Sequence, residues 1–199
     1  MPVAKLDIAP GYGPGDWGFE SLQARFFRPL PPYGGKGRKK RNMKPIGDEK
    51  TLDDYFMGEA LREAKIAEKT GDIPIGCVIV SGKKIIGRAH NQIELLKDAT
   101  AHAEMIAITQ AEEAAGDWRL TEAVLYVTKE PCPMCAGAIL QTRIKKVIFG
   151  VPAPRDGAAG SVVNVLNNER LGSAVECAGG VREEECRSLL QDFFRSIRK

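Results

Sequence analysis

Two short segments carry residues that together can hold a metal ion and move a proton: His102-Ala103-Glu104 and Pro131-Cys132-Pro133-Met134-Cys135. Zinc binds imidazole nitrogen and thiolate sulfur, and a catalytic zinc keeps its fourth position for water. Cys132 and Cys135 lie three apart, so at the start of a helix both sulfurs can reach one ion. Pro133 suits the first helical turn, where its missing N–H is no loss. The partial positive charge of a helix N-terminus favours the metal-binding thiolate. His102 precedes an apolar run, Met105-Ile106-Ala107-Ile108, that reads as a buried helix. Residues two apart on a regular helix point about 200° away from each other, at about 3.6 residues per turn. His102 and Glu104 therefore serve one site only if the ion lies off the helix end, with the histidine on the ion and the glutamate facing the water.

Each segment alone has a plainer reading. A lone His-x-Glu is usually structural, and a lone Cys-x-x-Cys is a redox pair, half of a structural zinc site or two core cysteines. Together they open two helices on either side of a strand-like stretch, Val124-Leu125-Tyr126-Val127, and point to one catalytic zinc centre. A closed structural site would want a fourth Cys or His, and neither helix start offers one. His90, the other histidine, reads as a strand residue at the surface or in the core rather than a ligand.

The remaining elements must position these groups. Leu52, Tyr55, Phe56, Ala60, Ala64 and Ala67 recur at spacings of three and four, which predicts a helix from Thr51 to about Lys69, capped by Thr51 or Asp53 and ended by Thr70-Gly71-Asp72. The β-branched density of residues 74–80 predicts a buried strand. Ser81-Gly82-Lys83 is a turn, and Lys84 to Asn91 returns as the second arm of a hairpin. The helix opened by His102 runs to about Ala115 and breaks at Gly116-Asp117. A strand over Ala123–Thr128 leads into the cysteine-bearing helix, which continues through Leu140. Another strand covers Lys146–Gly150, then a Pro/Gly loop runs from Val151 to Gly160. Val162–Leu166 is expected to form a short helix, Ala174–Cys177 a weak strand, and Gly179-Gly180 a turn. A final helix, about Glu183 to Arg198, carries Cys186, Leu189, Leu190, Phe193 and Phe194 on its apolar side. Strands alternating with helices argue an α/β layered domain with a mixed sheet.

At 199 residues, 43% apolar and 28% charged, the chain suits one well-buried soluble domain. No apolar run approaches the roughly 20 residues that span a bilayer, so no membrane partner is expected. Five cysteines are an odd number, and with two on metal the remaining Cys77, Cys177 and Cys186 make no disulfide framework, which favours a reducing compartment. The formal charge of +3 is uneven: residues 1–50 hold ten Lys/Arg against five Asp/Glu, and the rest holds 19 against 21. Any nucleic-acid contact of the main domain must therefore rest on local patches.

Residues 1–47 form a Gly/Pro-rich leader ending in Lys36-Gly37-Arg38-Lys39-Lys40-Arg41, expected to be disordered or to act as a basic arm; residues 48–199 form the domain. Asp7, Asp16 and Glu20 speak against an organelle transit peptide. Gly18-Phe19-Glu20-Ser21 can be encoded by the T-arm of a tRNA gene, so the leader is expected to be translated upstream sequence with the native start at Met43. Peptides from residues 1–42 in the endogenous protein, found by mass spectrometry, would reject this.

The His-x-Glu…Pro-Cys-x-x-Cys arrangement resembles the signature of the zinc deaminases. The resemblance extends from about Thr51 to Arg198. It rests on Pro74-Ile75-Gly76-Cys77-Val78, Thr100-Ala101-His102-Ala103-Glu104, Glu130-Pro131-Cys132-Pro133-Met134-Cys135-Ala136-Gly137-Ala138, Arg143-Ile144, Phe149-Gly150, Gly157-Ala158-Ala159-Gly160-Ser161 and Phe193-Phe194-Arg195. The last two narrow it to tRNA-specific adenosine deaminases of the bacterial or plastid type. The resemblance implies a three-layer α/β/α, cytidine-deaminase-like fold with a central mixed five-stranded sheet. It also implies a homodimer that hydrolyses adenosine to inosine at the wobble position of a tRNA anticodon arm, with one zinc per subunit on His102, Cys132 and Cys135. Glu104 would be the proton shuttle, Asn91 would hydrogen-bond the flipped-out base, Phe194 would line the nucleotide pocket, and Ala103 would be a further substrate-binding residue. The same resemblance implies a cytoplasmic location, or a plastid one in a plant or alga. The rivals are a guanine or cytosine base or nucleoside deaminase, and a non-catalytic RNA-binding subunit, against which Glu104 speaks. One departure stands out. Relatives commonly carry Asp or Asn where this chain has Ala153, at a position near an RNA sugar hydroxyl, so discrimination between RNA and DNA is expected to be weaker here.

Overall fold

A computed structural model describes residues 49–171 and 174–198, all within one unit spanning Lys44–Lys199. The leader and the expected start at Met43 lie outside the described residues. Helix α1 (Glu49–Lys69) leads to the hairpin β1 (Gly76–Ser81) and β2 (Lys84–His90), a one-turn helix α2 (Ile93–Leu96), and α3 (Ala103–Ala115). Then come β3 (Ala123–Lys129), α4 (Pro133–Gln141), β4 (Lys146–Val151), β5 (Glu176–Gly179) and α5 (Glu183–Ser196). The strands form one sheet in the order β2-β1-β3-β4-β5, antiparallel between β2, β1 and β3 and parallel between β3, β4 and β5.

The sheet is buried on both faces, and its side chains sort by the period of two. Cys77, Ile79, Leu125, Val127 and Val147 pack with Ala103, Ala107, Ala136 and Ile139 of α3 and α4 on one face. Val78, Val80, Tyr126 and Ile148 pack with Phe56, Met57 and Ala60 of α1 and Cys186 of α5 on the other. This is the three-layer α/β/α arrangement. Alanines 103, 107 and 111, spaced by four, let α3 lie low on the sheet, and all three are fully buried. Gly87 on β2 completes the approach, because a Cβ there would strike the Ala107 carbonyl. No described helix is long and apolar enough to cross a membrane, and all five cysteines are free.

Several expectations are corrected. Residues 162–166 are not helical. Asn164 forms an isolated antiparallel bridge with Ala159, and the Val165 N–H donates to the Ala158 carbonyl, 2.9 Å. The β-branched Val162, Val163 and Val165 disfavour helix at χ1 and suit this extended return. The last strand runs to Gly179, where a turn was expected, because parallel pairing carries it from Lys146↔Glu176 to Phe149↔Gly179. Helix α2 was not anticipated. Its first-turn N–H groups, from Glu94 (3.1 Å) and Leu95 (3.2 Å), donate to the buried carboxylate of Asp72, 22 and 23 residues earlier. Phe194 leaves the apolar side of α5: it is 37% exposed while Phe193 is buried.

Candidate active site

The N-termini of α3 and α4 converge. His102 and Cys132 are their N-cap residues, both in extended backbone (φ −73°, ψ 152° and φ −75°, ψ 171°), so each side chain projects from a helix end instead of a helix flank. Pro133 occupies the first turn of α4, as expected. His102 Nδ1 lies 3.7 Å from Cys132 Sγ and 3.4 Å from Cys135 Sγ, and the three ligand atoms are all within 4.8 Å of one another. A tetrahedral zinc with bonds of about 2.05 Å to nitrogen and 2.3 Å to sulfur sets N···S edges at about 3.6 Å. The donor set therefore fits such an ion in chemistry and in spacing.

The electrostatics already favour a bound cation. The Cys132 thiol is held down to about 4, first by the hydrogen bond from Cys135 and then by His102. Cys135, as the donor to that thiolate, is pushed far up. His102 is raised by its hydrogen bond with Cys132. Two helix N-termini add positive partial charge. Glu104, in the first turn of α3, is 4% exposed, and burial raises its carboxyl above the ordinary range. Cys135 is near enough for it and Glu104 to shift one another's titration, so an acid group lies beside the ligand sulfurs.

Asn91 is buried at the end of β2, and its Oδ1 accepts the Ala103 N–H at 3.3 Å, between His102 and Glu104. Ala103 is fully buried, and its N–H is engaged by Asn91. Phe194 stands apart on α5, in the helical layer across the sheet from the cysteines, edge-on to Phe193 at 5.5 Å. His90 pairs with Glu63 of α1 at 3.3 Å and takes no part in the cluster. Replacing Asn91 by alanine leaves a buried N–H without its acceptor. We expect a loss of about 1–3 kcal/mol in urea unfolding, together with a fall in turnover; unchanged unfolding would show that the bond does not hold α3 in place.

Glu130 belongs to the cysteine motif, but residue types and spacing gave it no role. It is 2% exposed, and its carboxylate gathers the loop beyond β4: the N–H groups of Ala153 (2.8 Å), Ala159 (2.9 Å) and Ser161 (3.1 Å), and the Ser161 hydroxyl, all donate to it. Burial raises this carboxyl, but the bonds from Ser161 and Ala153 outweigh it and hold the group below its usual range. The one signal in the sequence is an acidic residue placed directly before the Pro131-Cys132 start of the cysteine helix.

Residues 52–198 match the family of MafB19-like deaminases. With this sheet order and metal-competent cluster, the chain falls in the cytidine-deaminase-like class. A "tRNA-specific adenosine deaminase" of Bacillus subtilis (strain 168) is 50% identical over 149 residues, covering 75% of this chain and 92% of that one. A chloroplastic "tRNA(adenine(34)) deaminase" of Arabidopsis thaliana is 43% identical over 164 residues, 74% of this chain and 12% of that one. A solved structure from studies of A-to-I editing by tRNA:A34 deaminases at the wobble position of transfer RNA superposes with a TM-score of 0.66. It is 40% identical, covering 68% of this chain and 99% of that chain. Within its class, the chain belongs to the tRNA-specific adenosine deaminases.

Proposed function

We propose that this protein hydrolyses adenosine to inosine at the wobble position of a tRNA anticodon. The observation that carries the reading is a buried carboxylate beside a His/Cys/Cys cluster at two converging helix ends, in a chain half identical to a bacterial tRNA-specific adenosine deaminase. His102, Cys132 and Cys135 would hold one zinc ion, which when bound supplies the Lewis acidity that brings a water toward neutral pKa. Glu104 takes a proton at its carboxylate, gives it to the adenine N1, and later delivers one to the departing amine, so that water and adenosine become inosine and ammonia. Asn91 hydrogen-bonds the base and fixes the start of α3, with Ala103 at the pocket floor. Phe194, being exposed, is available to a neighbouring nucleotide. Anticodon-loop bases are already partly unstacked, which lessens the work of extrusion.

We assign the working form as a homodimer in the cytoplasm, or in a plastid, with the leader 1–47 outside the catalytic domain 48–199. Light scattering on the purified protein tests the dimer; a monomer that is fully active removes it. Incubation with total tRNA and then sequencing, where inosine reads as guanosine, tests the function. Conversion confined to wobble adenosines supports it, and conversion of free guanine or cytosine without any tRNA change overturns it. Ala153 is fully buried with no polar side chain to offer a sugar. The ratio of rates on matched DNA and RNA hairpins should therefore exceed that of an aspartate-bearing relative; an equal or lower ratio removes this expectation.

A further inference from the structure

The ligand-bearing turn 130–132 and the loop 151–161 form one hydrogen-bonded body. Besides the four bonds accepted by the Glu130 carboxylate, the Glu130 N–H donates to the Val151 carbonyl (2.9 Å) and the Ala158 N–H to the Pro131 carbonyl (2.8 Å), one residue from Cys132. Gly157 makes the closure possible, since a Cβ there would strike the Glu130 carboxyl. Lys129 Nζ clasps both oxygens of Asp156 (2.8 and 2.9 Å) from outside. Beyond Val151, the last residue of β4, the segment has three glycine or proline breaks before Ala158 and neither helix nor named strand, so it has no reason of its own to hold one shape. A buried carboxylate satisfied four times over by that segment supplies the reason.

We propose that Glu130 is a positioning residue that locks the loop 151–161 to the cysteine turn, so that the loop stands pre-formed as a wall of the substrate site. What the loop faces rests on the deaminase reading above; that Glu130 holds it does not. A pre-formed wall lowers the ordering that substrate must otherwise impose, so its loss falls on KM before kcat.

The test uses the full chain as wild type, Glu130→Gln, Ser161→Ala and Ser161→Thr. It measures zinc content, amide exchange, and kcat and KM on an anticodon-arm RNA hairpin. Glu130→Gln keeps the shape but places an amide N–H₂ where two donors point. Its zinc content should hold and the Ala153, Ala159 and Ser161 amides should exchange faster. KM should rise on the order of tenfold, as expected for losing hydrogen bonds to a charged group, while kcat falls less. Ser161 is exposed, so its variants fold even if Glu130→Gln does not: Ser161→Ala should raise KM a few-fold, and Ser161→Thr should restore it. Unchanged KM and unchanged loop exchange overturn the proposal. So does loss of zinc from Glu130→Gln with the Ser161 pair silent, which would make Glu130 a metal-site support only. A wild type that ignores the hairpin overturns the functional reading instead, and the exchange rates then decide the role of Glu130 by themselves.

Discussion

Replacing Glu104 by alanine should reduce turnover of the anticodon hairpin by at least 10³- to 10⁴-fold, about the range that a positioned proton carrier supplies, while zinc content and hairpin affinity hold. The carboxylate is 4% exposed beside the ligand cluster, so it has no solvent-facing structural task that alanine would remove. A second readout separates chemistry from stability. Burial raises the folded-state pKa of Glu104, so in the metal-free protein the fold binds this proton more tightly than the unfolded chain does. That contribution is present below the unfolded carboxyl value of about 4.3 and is lost as pH rises through the folded value. At neutral pH the residue therefore burdens the metal-free fold, and metal-free Glu104→Ala should unfold at an equal or higher temperature than metal-free wild type. A group kept at a stability cost is the pattern of a functional residue. If Glu104→Ala still deaminates, the assigned mechanism is wrong; if it is inactive but also loses zinc, the acid belongs to the metal site and not to the proton path.

Removing the metal should have the other large effect. Chelation, or Cys132→Ser, should take activity to background and lower the thermal midpoint, because an ion that binds only the folded chain stabilises it by about 4 kcal/mol at a thousandfold excess over its dissociation constant. The ion would join the two helix ends that carry His102 and Cys132, which without it meet through the His102 contacts with the two sulfurs and a core that includes the small Ala103 and Ala136. Cys77→Ala is the control. Cys77 is fully buried, as Cys135 is, but belongs to the sheet core and not to the ligand cluster. It should keep zinc and activity and lose about 1 kcal/mol for the small cavity left behind. Activity that survives complete metal removal from wild type would end the metal-dependent reading.

The chemistry of this protein was written in local signals. His102 and Cys132 act as helix N-caps because the chain reaches each of them extended and leaves each with apolar residues at helical spacing; Pro133 and Gly116 mark where α4 begins and α3 ends. Those signals act over three or four residues, so the sequence carries them whole, and the unbroken apolar runs of β1 and β3 likewise declare strands buried on both faces before any partner is known. Tertiary structure decided the features that depend on chain returning from far away. Asp72 caps a helix 22 residues on, and Asn91 grips the start of α3 across 12 residues. Glu130 draws in a loop 23 to 31 residues later, only because β3 and β4 pair in parallel and bring residues 129 and 151 side by side. The bridge of Asn164 with Ala159 likewise keeps residues 162–166 out of helix. Ligand identity is a property of residue types and spacing, whereas the walls of the site are a property of register, and register is settled by the packed sheet as a whole.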